Sequence, residues 1–321
     1  MDLSAEIKRD MFWTMLLARR LDERAWALHR QGRIAFHISG IGHEAAQVGA
    51  AFAFKRGIDW VAPYYRDLAL MLALMGKRGE VTSGGRQMPS HWSLKRANVV
   101  SHSAPVATQT VHASGIALAM KLRHDDKVVL TTIGEGSTSQ GEWYEAVNWA
   151  AVHQLPVVFM VENNQYAISE PVDRQMAVKS AADKACGLGL AGIKVDGNDL
   201  YQTHIAFVEA VERARSGGGP SVIETLIYRI TPHSSDDDDR SYRTREEVEE
   251  HKRNDGLIRA RDTFEREGVL TSQEIDAMDA KAKAMIDAAV QEAESAPYPD
   301  PEEAQYPVYA EEVREREATH A

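Results

Sequence analysis

The sequence predicts an α/β protein, a doubly wound and mostly parallel sheet with helices on both faces and helical extensions at its two ends. Three observations carry this reading. Short apolar runs alternate with helix-like segments through the middle of the chain, the pattern that parallel strands joined by crossover helices require. Residues 4–31 and 246–293 carry apolar side chains at helical spacing. The chain has 321 residues, 44% hydrophobic and 26% charged, a composition that can bury a core without covalent staples.

Along the chain, Ile7, Met11, Met15, Ala18, Leu21, Ala25 and Leu28 recur every three or four residues, so 4–31 is expected to be an amphipathic helix stopped at Gly32. The small-residue segment 40–54 suits a helix packed closely against a neighbour. Residues 77–110 hold few apolar runs and many Ser, Gly, His and Arg. A structureless stretch of that length inside a compact domain points to one that lines a site. Lys127–Ile133 is expected to be a buried strand, Thr138–His153 a helix and Pro156–Val161 a second buried strand. A short strand at 193–195, a helix near 200–215 and an apolar run at Ser221–Ile230 follow. Beyond Thr231, the segment from His233 to Tyr242 is expected to be an exposed mobile loop. Residues 246–293 return to helix, with a capping box at Thr271 and Glu274, and the acidic, proline-containing tail from Pro297 should lie on a surface or a partner.

Charge and cysteine usage narrow the function classes. With 37 basic and 48 acidic residues the net charge is −11, which argues against a broad nucleic-acid or anionic-lipid surface but leaves room for a local pocket that holds a small anion. Cys186 is the only cysteine, so an intramolecular disulfide and a multi-thiolate metal site are both excluded, and a reducing compartment is expected. No basic segment precedes an apolar block at the start, and no apolar run approaches ~18 residues. A soluble cytoplasmic protein is the expectation.

The chemistry gathers at two strand ends. In parallel strands joined by a right-handed crossover, the carboxyl ends lie on one sheet edge, where open α/β sheets bind ligands. The first strand ends in Gly134-Glu135-Gly136-Ser137 and the second in Glu162-Asn163-Asn164-Gln165-Tyr166, so Glu135 and Asn164 can face one small volume. A carboxylate, an amide oxygen and a backbone carbonyl are hard donors suited to magnesium or calcium. Magnesium usually completes its shell with water and phosphate, so a metal-bridged diphosphate is the physical reading. The helix expected from Thr138 would add free N–H groups at the same place. Taken alone, Gly-Glu-Gly after a strand and an Asn-Asn pair are equally consistent with an ordinary α/β turn.

These segments, with Gly141, Glu145-Ala146, Asn148, Leu155-Pro156-Val157 and the run to Ser169, resemble the thiamine diphosphate motif of the 2-oxo acid dehydrogenase alpha subunits, and nearly the whole chain is similar to that family. Gly85-Arg86-Gln87-Met88-Pro89 and Pro232-His233-Ser234-Ser235 followed by acidic residues resemble the branched-chain enzymes more than the pyruvate enzymes. The resemblance implies magnesium held by Glu135, the Asn164 side chain and the Tyr166 carbonyl. It implies Gly134, Gly136, Ser137, Tyr65, Arg66, Ala104, Val106, Ile168 and His233 around thiamine diphosphate, and a potassium ion held by Ser103, Pro105, Thr108 and Gln109. Without it, Arg66 would be read as a partner of Asp67 or another acid in a surface ion pair, 103–109 as a plain loop and His233 as a solvated loop histidine.

Three positions depart from the family pattern. Glu135 stands where many members have aspartate, Ala104 where many have serine, and Glu162 where animal branched-chain relatives place an arginine on the diphosphate. Charge compensation would then fall to magnesium, Arg66 and N–H groups. His233 and Ser234 are the implied catalytic residues, since an imidazole beside a polar loop titrates near neutrality. In animal relatives the matching serine is phosphorylated, and a phosphate at Ser234 would repel Asp236–Asp239 and the diphosphate.

The resemblance divides the chain into an N-terminal helical extension (1–40), a thiamine diphosphate- and magnesium-binding α/β domain (41–232), an active-site loop (233–245) and a C-terminal helical extension with its tail (246–321). It implies oxidative decarboxylation of a branched-chain 2-oxo acid and acyl transfer to the lipoyl group of an acyltransferase. The working form would contain two alpha and two beta subunits, the beta subunit supplying the carboxylate that activates the cofactor ring. Pyruvate or acetoin dehydrogenase alpha subunits are the nearest enzymatic alternative. A non-catalytic magnesium–nucleotide binding protein is the alternative from another class, weakened by the lack of a Walker loop.

Overall fold

The computed structural model describes residues 3–69, 90–91, 93–102 and 104–296. The segment 85–89, Ser103 and the tail from Pro297 lie outside the described residues. Helix α1 (Ala5–Arg30) starts where Ser4 Oγ accepts the Ile7 N–H at 3.3 Å, and it buries Met11, Phe12, Met15, Leu16 and Ala18. Helix α2 (Glu44–Ala51) is shorter than the expected 40–54 segment, and all eight of its residues are buried. Small side chains permit that: a Cβ on Gly49 would come within 2.9 Å of Thr203 on the helix packed against it.

Strand β1 (Trp60–Ala62) was not foreseen in the sequence, and neither was helix α3 (Thr108–Arg123). Strand β2 (Val129–Gly134), helix α4 (Gly141–Val152) and strand β3 (Val157–Asn163) form the anticipated crossover unit. The helix does not begin at Thr138, however. A 3-10 turn, Glu135–Ser139, follows β2 directly, and α4 starts two residues later. A two-residue ladder, β4 (Tyr166–Ala167) with β5 (Glu170–Pro171), leads through the short helix α5 (Val172–Gln175) to α6 (Ala181–Gly187) and strand β6 (Ala191–Asp196). Helix α7 (Leu200–Arg215) and strand β7 (Ser221–Leu226) complete the sheet, so the last apolar run pairs over six residues rather than ten.

The sheet order is β1-β2-β3-β7-β6, with every pairing parallel. Alternation along β3 shows how both faces are covered. Val158 and Met160 pack with Phe54, Phe207 and Val211 on the α2–α7 side, while Val157, Phe159 and Val161 pack with Trp143, Val147 and Ala117 on the α3–α4 side. The chain runs from β1 through β2 and β3 in one direction, continues to the far edge at β6 and returns to β7, so the carboxyl ends of β2 and β3 lie side by side on one sheet edge, where open α/β sheets bind ligands.

The helical C-terminal segment expected over 246–293 is made of α8 (Arg245–Lys252), α9 (Gly256–Arg266) and α10 (Ser272–Ser295), each started by a side-chain cap from Thr244, Asp255 and Thr271; the last forms the anticipated capping box with Glu274. Phe12, Met15, Leu257, Phe264, Leu270 and Ile275 join α1 to these helices in a third apolar cluster. Beside it the half-buried Arg19 bridges Glu44 at 2.6 Å and Asp255 at 2.8 Å, tying α1, α2 and the start of α9 together. Among the described residues no helix is long and apolar enough to cross a membrane.

Candidate active site

The register sets Gly134 beside Glu162, so the residues that follow leave the sheet side by side. Glu135 is 1% exposed, and its Oε2 accepts the backbone N–H of Asn164 at 3.2 Å across 29 positions of sequence. Burial pushes its carboxyl above the usual range, opposed by hydrogen bonds and by Arg229. The Asn164 Oδ1 accepts the Tyr166 N–H at 3.3 Å, while its Nδ2 donates to His43 Nε2 at 3.1 Å. The Tyr166 carbonyl accepts from Arg229 Nη1 at 3.2 Å. One carboxylate, one amide oxygen and one carbonyl are thus gathered on adjoining turns, and this all-oxygen donor set fits magnesium.

Glycine shapes the same corner in two ways. A Cβ on Gly136 would lie 2.5 Å from the Ala167 Cβ, so the ladder closes over the turn only because that side chain is missing. A Cβ on Gly134 would meet nothing within 4 Å among the described residues, which leaves space where a ligand could approach the backbone. Helix α4 starts at Gly141, so the N–H groups near Glu135 belong to the 3-10 turn and not, as the sequence suggested, to a helix beginning at Thr138. Ser137 sits in that turn, 8% exposed.

Arg66 is not a surface residue paired with Asp67. It is 2% exposed, donates to the Ser39 carbonyl at 2.6 Å, and sends Nη2 to His233 Nδ1 and to the His233 carbonyl, both at 3.3 Å. Asp67 turns instead to the Tyr64 N–H at 2.9 Å and to the Thr132 hydroxyl. Tyr65 lies edge-on to His233, with ring centroids 6.2 Å apart. His233 does not titrate near neutrality here. Burial first, then Arg66 and Arg229, push it down to about 4, so the ring is neutral at physiological pH.

Glu162 is fully buried and serves an internal network. Gln47 Nε2 and the Tyr64 hydroxyl both donate to Oε2 at 3.1 Å, and Asp67 is a further hydrogen-bonded partner. Burial first and then Asp67 raise Glu162 strongly, so it keeps its proton and donates to Asp67; burial raises Asp67 to about 6, opposed by its hydrogen bonds to Glu162, Thr132 and the Tyr64 N–H and by Arg66. The Glu162 carboxyl is committed to that network, at a position where an arginine would add positive charge.

The segment from His233 to Tyr242 is less exposed than its composition suggested. Ser234 is 8% exposed, Asp237 accepts the His233 N–H at 2.7 Å, and Ser235 exchanges hydrogen bonds with the His37 backbone at 3.0 and 2.9 Å. Arg229, fully buried, donates to the Tyr242 hydroxyl at 2.8 Å and to the Ile168 carbonyl at 2.6 Å. Arg243 reaches back to the Thr231 carbonyl at 2.7 Å. Asp236, Asp238 and Arg240 face solvent.

Of the residues implied for potassium, Ser103 lies outside the described residues. Gln109 is 3% exposed and donates to the Thr132 carbonyl at 2.9 Å, while its buried Oε1 has no hydrogen-bond partner among the described residues, an oxygen that fits a cation ligand. Pro105 is exposed and Thr108 half-buried. Ala104, Val106 and Ile168 are exposed at the rim, Val106 at 40% and Ile168 at 56%. The structure therefore brings Glu135, Asn164 and Tyr166 together, and separately joins Tyr65, Arg66 and His233.

Several participants escaped the sequence reading: His43, Gln47, Asp67, Gln175, whose Nε2 donates to Glu135 Oε1 at 3.5 Å, and the buried arginines 229 and 243. Arg229 carried a usable signal, because an arginine inside the apolar run Ser221–Ile230 demands a buried partner. His43 and Gln47 sit in an unbroken small-residue helix segment and carried none.

The dehydrogenase E1 component family matches residues 13–302. The chain is 50% identical over 312 residues to the 2-oxoisovalerate dehydrogenase subunit alpha of Bacillus subtilis, covering 94% of each chain. It is 40% identical over 284 residues to a 3-methyl-2-oxobutanoate dehydrogenase subunit alpha of Mycobacterium tuberculosis, covering 88% of this chain and 77% of that one. With the pyruvate dehydrogenase E1 component subunit alpha of Bacillus subtilis the identity is 36% over 305 residues, covering 92% and 80%.

Proposed function

Because the chain belongs to the dehydrogenase E1 component family, we propose that it is the alpha subunit of a branched-chain 2-oxo acid dehydrogenase, active with a beta subunit in the thiamine-dependent oxidative decarboxylation of 2-oxo acids. The acyl product would pass to the lipoyl group of an acyltransferase, and the assembly would hold two alpha and two beta subunits in the cytoplasm. Family membership replaces the magnesium–nucleotide alternative. The higher identity to the branched-chain subunits favours those substrates over pyruvate or acetoin.

The observation that supports the chemistry is the meeting of Glu135 and Asn164 at 3.2 Å on neighbouring strand ends. Thiamine diphosphate, when bound, supplies the electron sink that decarboxylation of a 2-oxo acid needs. Glu135, the Asn164 amide oxygen and the Tyr166 carbonyl would hold magnesium against its diphosphate. Gly134, Gly136 and Ser137 would let the phosphate oxygens reach backbone N–H groups, and Arg66 would pair with them through a guanidinium already held by Ser39. Ala104, Val106 and Ile168 would border the ring. Neutral His233, next to Arg66, would accept or return a proton on the substrate side, and the segment 233–245 with Ser234 would border the same space. Pro105, Thr108 and Gln109, with Ser103, would hold potassium at the edge of the site.

Co-expression with a beta-type subunit, followed by decarboxylation assays on 2-oxoisovalerate and pyruvate, tests the reading. The expected result is magnesium- and thiamine diphosphate-dependent turnover, faster on 2-oxoisovalerate. Preference for pyruvate would overturn the substrate class, and a lack of any thiamine response would overturn the enzyme.

A further inference from the structure

His43 holds the N-cap position of α2, a place where Ser, Thr, Asp or Asn would normally satisfy a free N–H, yet its side chain makes no capping bond. The imidazole is instead completely buried, at 0% exposure. Its Nδ1 has no hydrogen-bond partner among the described residues, and its Nε2 takes the Nδ2–H of Asn164 at 3.1 Å. Glu162 Oε2 is 4.0 Å from the same nitrogen. Burying a ring that caps nothing is costly, and the bond to Asn164 is the contact that repays it.

An asparagine amide has two ends of nearly equal shape and opposite chemistry, and a hard cation accepts only the oxygen. A bare Nε2 attracts the amide N–H and repels the amide oxygen. It therefore holds Nδ2 on its own side and leaves Oδ1 on the side of Tyr166, whose N–H meets it at 3.3 Å and whose carbonyl is another member of the donor set. We propose that His43 is the positioning residue of the metal site, fixing the Asn164 amide so that Oδ1 and not Nδ2 is presented to the cation. This rests on the magnesium site proposed above, and it adds a residue that touches neither the metal nor the substrate.

The test uses Mn2+ as a spectroscopic stand-in for magnesium. Free Mn2+ is followed by electron paramagnetic resonance on the alpha–beta complex at saturating thiamine diphosphate. His43→Met keeps bulk but removes the acceptor and is expected to weaken Mn2+ binding by about 10- to 100-fold, the range for partners of metal ligands. His43→Gln can place an amide oxygen near the Nε2 position and should restore affinity to within about threefold. Unchanged affinity in His43→Met overturns the proposal, and so does equal weakening in both variants, which would mark His43 as packing alone. Should His43→Met fail to assemble, histidine 15N resonances of the unaltered complex decide: a proton on Nδ1 of His43 supports the assignment and a proton on Nε2 overturns it. An unaltered complex that takes up no Mn2+ with the cofactor present overturns the functional reading, a result distinct from these.

Discussion

Arg66 and His233, 167 positions apart, are locked together, one guanidinium nitrogen lying 3.3 Å from both the ring Nδ1 and the backbone carbonyl of the histidine. The same guanidinium is anchored by Ser39, so its direction is fixed before any anion arrives. Arg66→Met should weaken thiamine diphosphate binding by about 1.5–3 kcal/mol, roughly ten- to a hundredfold, as expected for hydrogen bonds to a charged group. Arg66→Lys should recover little, because one ammonium cannot reach Ser39, His233 and a phosphate from one planar fork. Calorimetry with magnesium present reads both.

Acid should destabilise the ligand-free protein in a defined window. Burial pushes His233 and His102 down to about 4 from an ordinary 6.5. Below pH 6.5 the unfolded chain takes up protons that the folded chain refuses, so the stability these groups contribute is complete above 6.5 and is lost as pH falls towards 4. Melting temperature recorded across this range should drop, and His233→Asn should flatten the drop. A profile unchanged by that substitution would mean that the ring is solvated and protonates freely.

Glu135→Gln should separate folding from function. The carboxyl is buried and raised in the absence of a cation, so replacing it with a neutral amide of equal size should leave the melting temperature of the ligand-free chain equal or higher. Magnesium-dependent cofactor binding should fall by at least about tenfold, since a charged hard donor is replaced by a neutral one. Glu135→Asp should retain part of the affinity, because the carboxylate survives one methylene shorter. Differential scanning calorimetry and isothermal titration give the two halves of this comparison.

Glu162→Gln should stabilise the chain near neutral pH and change little near pH 4. The native carboxyl keeps its proton above the ordinary 4.5, where the unfolded chain has released it, so the native form loses stability as pH rises through that range. A permanent amide removes the loss and can still donate to Asp67. Melting temperatures that fall in the variant at neutral pH would show that the pair is ionised and stabilising.

The sheet and its crossover unit were legible because buried parallel strands write themselves as uninterrupted runs, such as Val157–Val161, bounded by turn residues. The meeting of Glu135 with Asn164 was legible for the same reason: a parallel register sends both strand ends to one edge. Strand β1 was missed because three residues give no period. Helix α3 was missed because Thr, Gly, Ser and small apolar residues blur its buried stripe. The environments of Arg66 and His233 depend on contacts 167 positions apart, and no local pattern encodes burial of that kind. The shift of the helix start from Thr138 to Gly141 was hidden because a 3-10 turn and a helix share nearly the same local preferences.

The Arg19 bridge to Glu44 and Asp255 has a practical consequence for anyone trimming the gene. A fragment ending after β7 would discard Asp255 and the apolar side chains of α9 and α10, stranding the Arg19–Glu44 pair beside an open wound in the first helix. Removing one member of so enclosed a charged group costs about 3–5 kcal/mol, comparable to the whole margin of many domains. Helix α1 together with α9 and α10 thus acts as a brace behind α2, and a minimal cofactor-binding piece should be sought by shortening surface loops, with these helices kept.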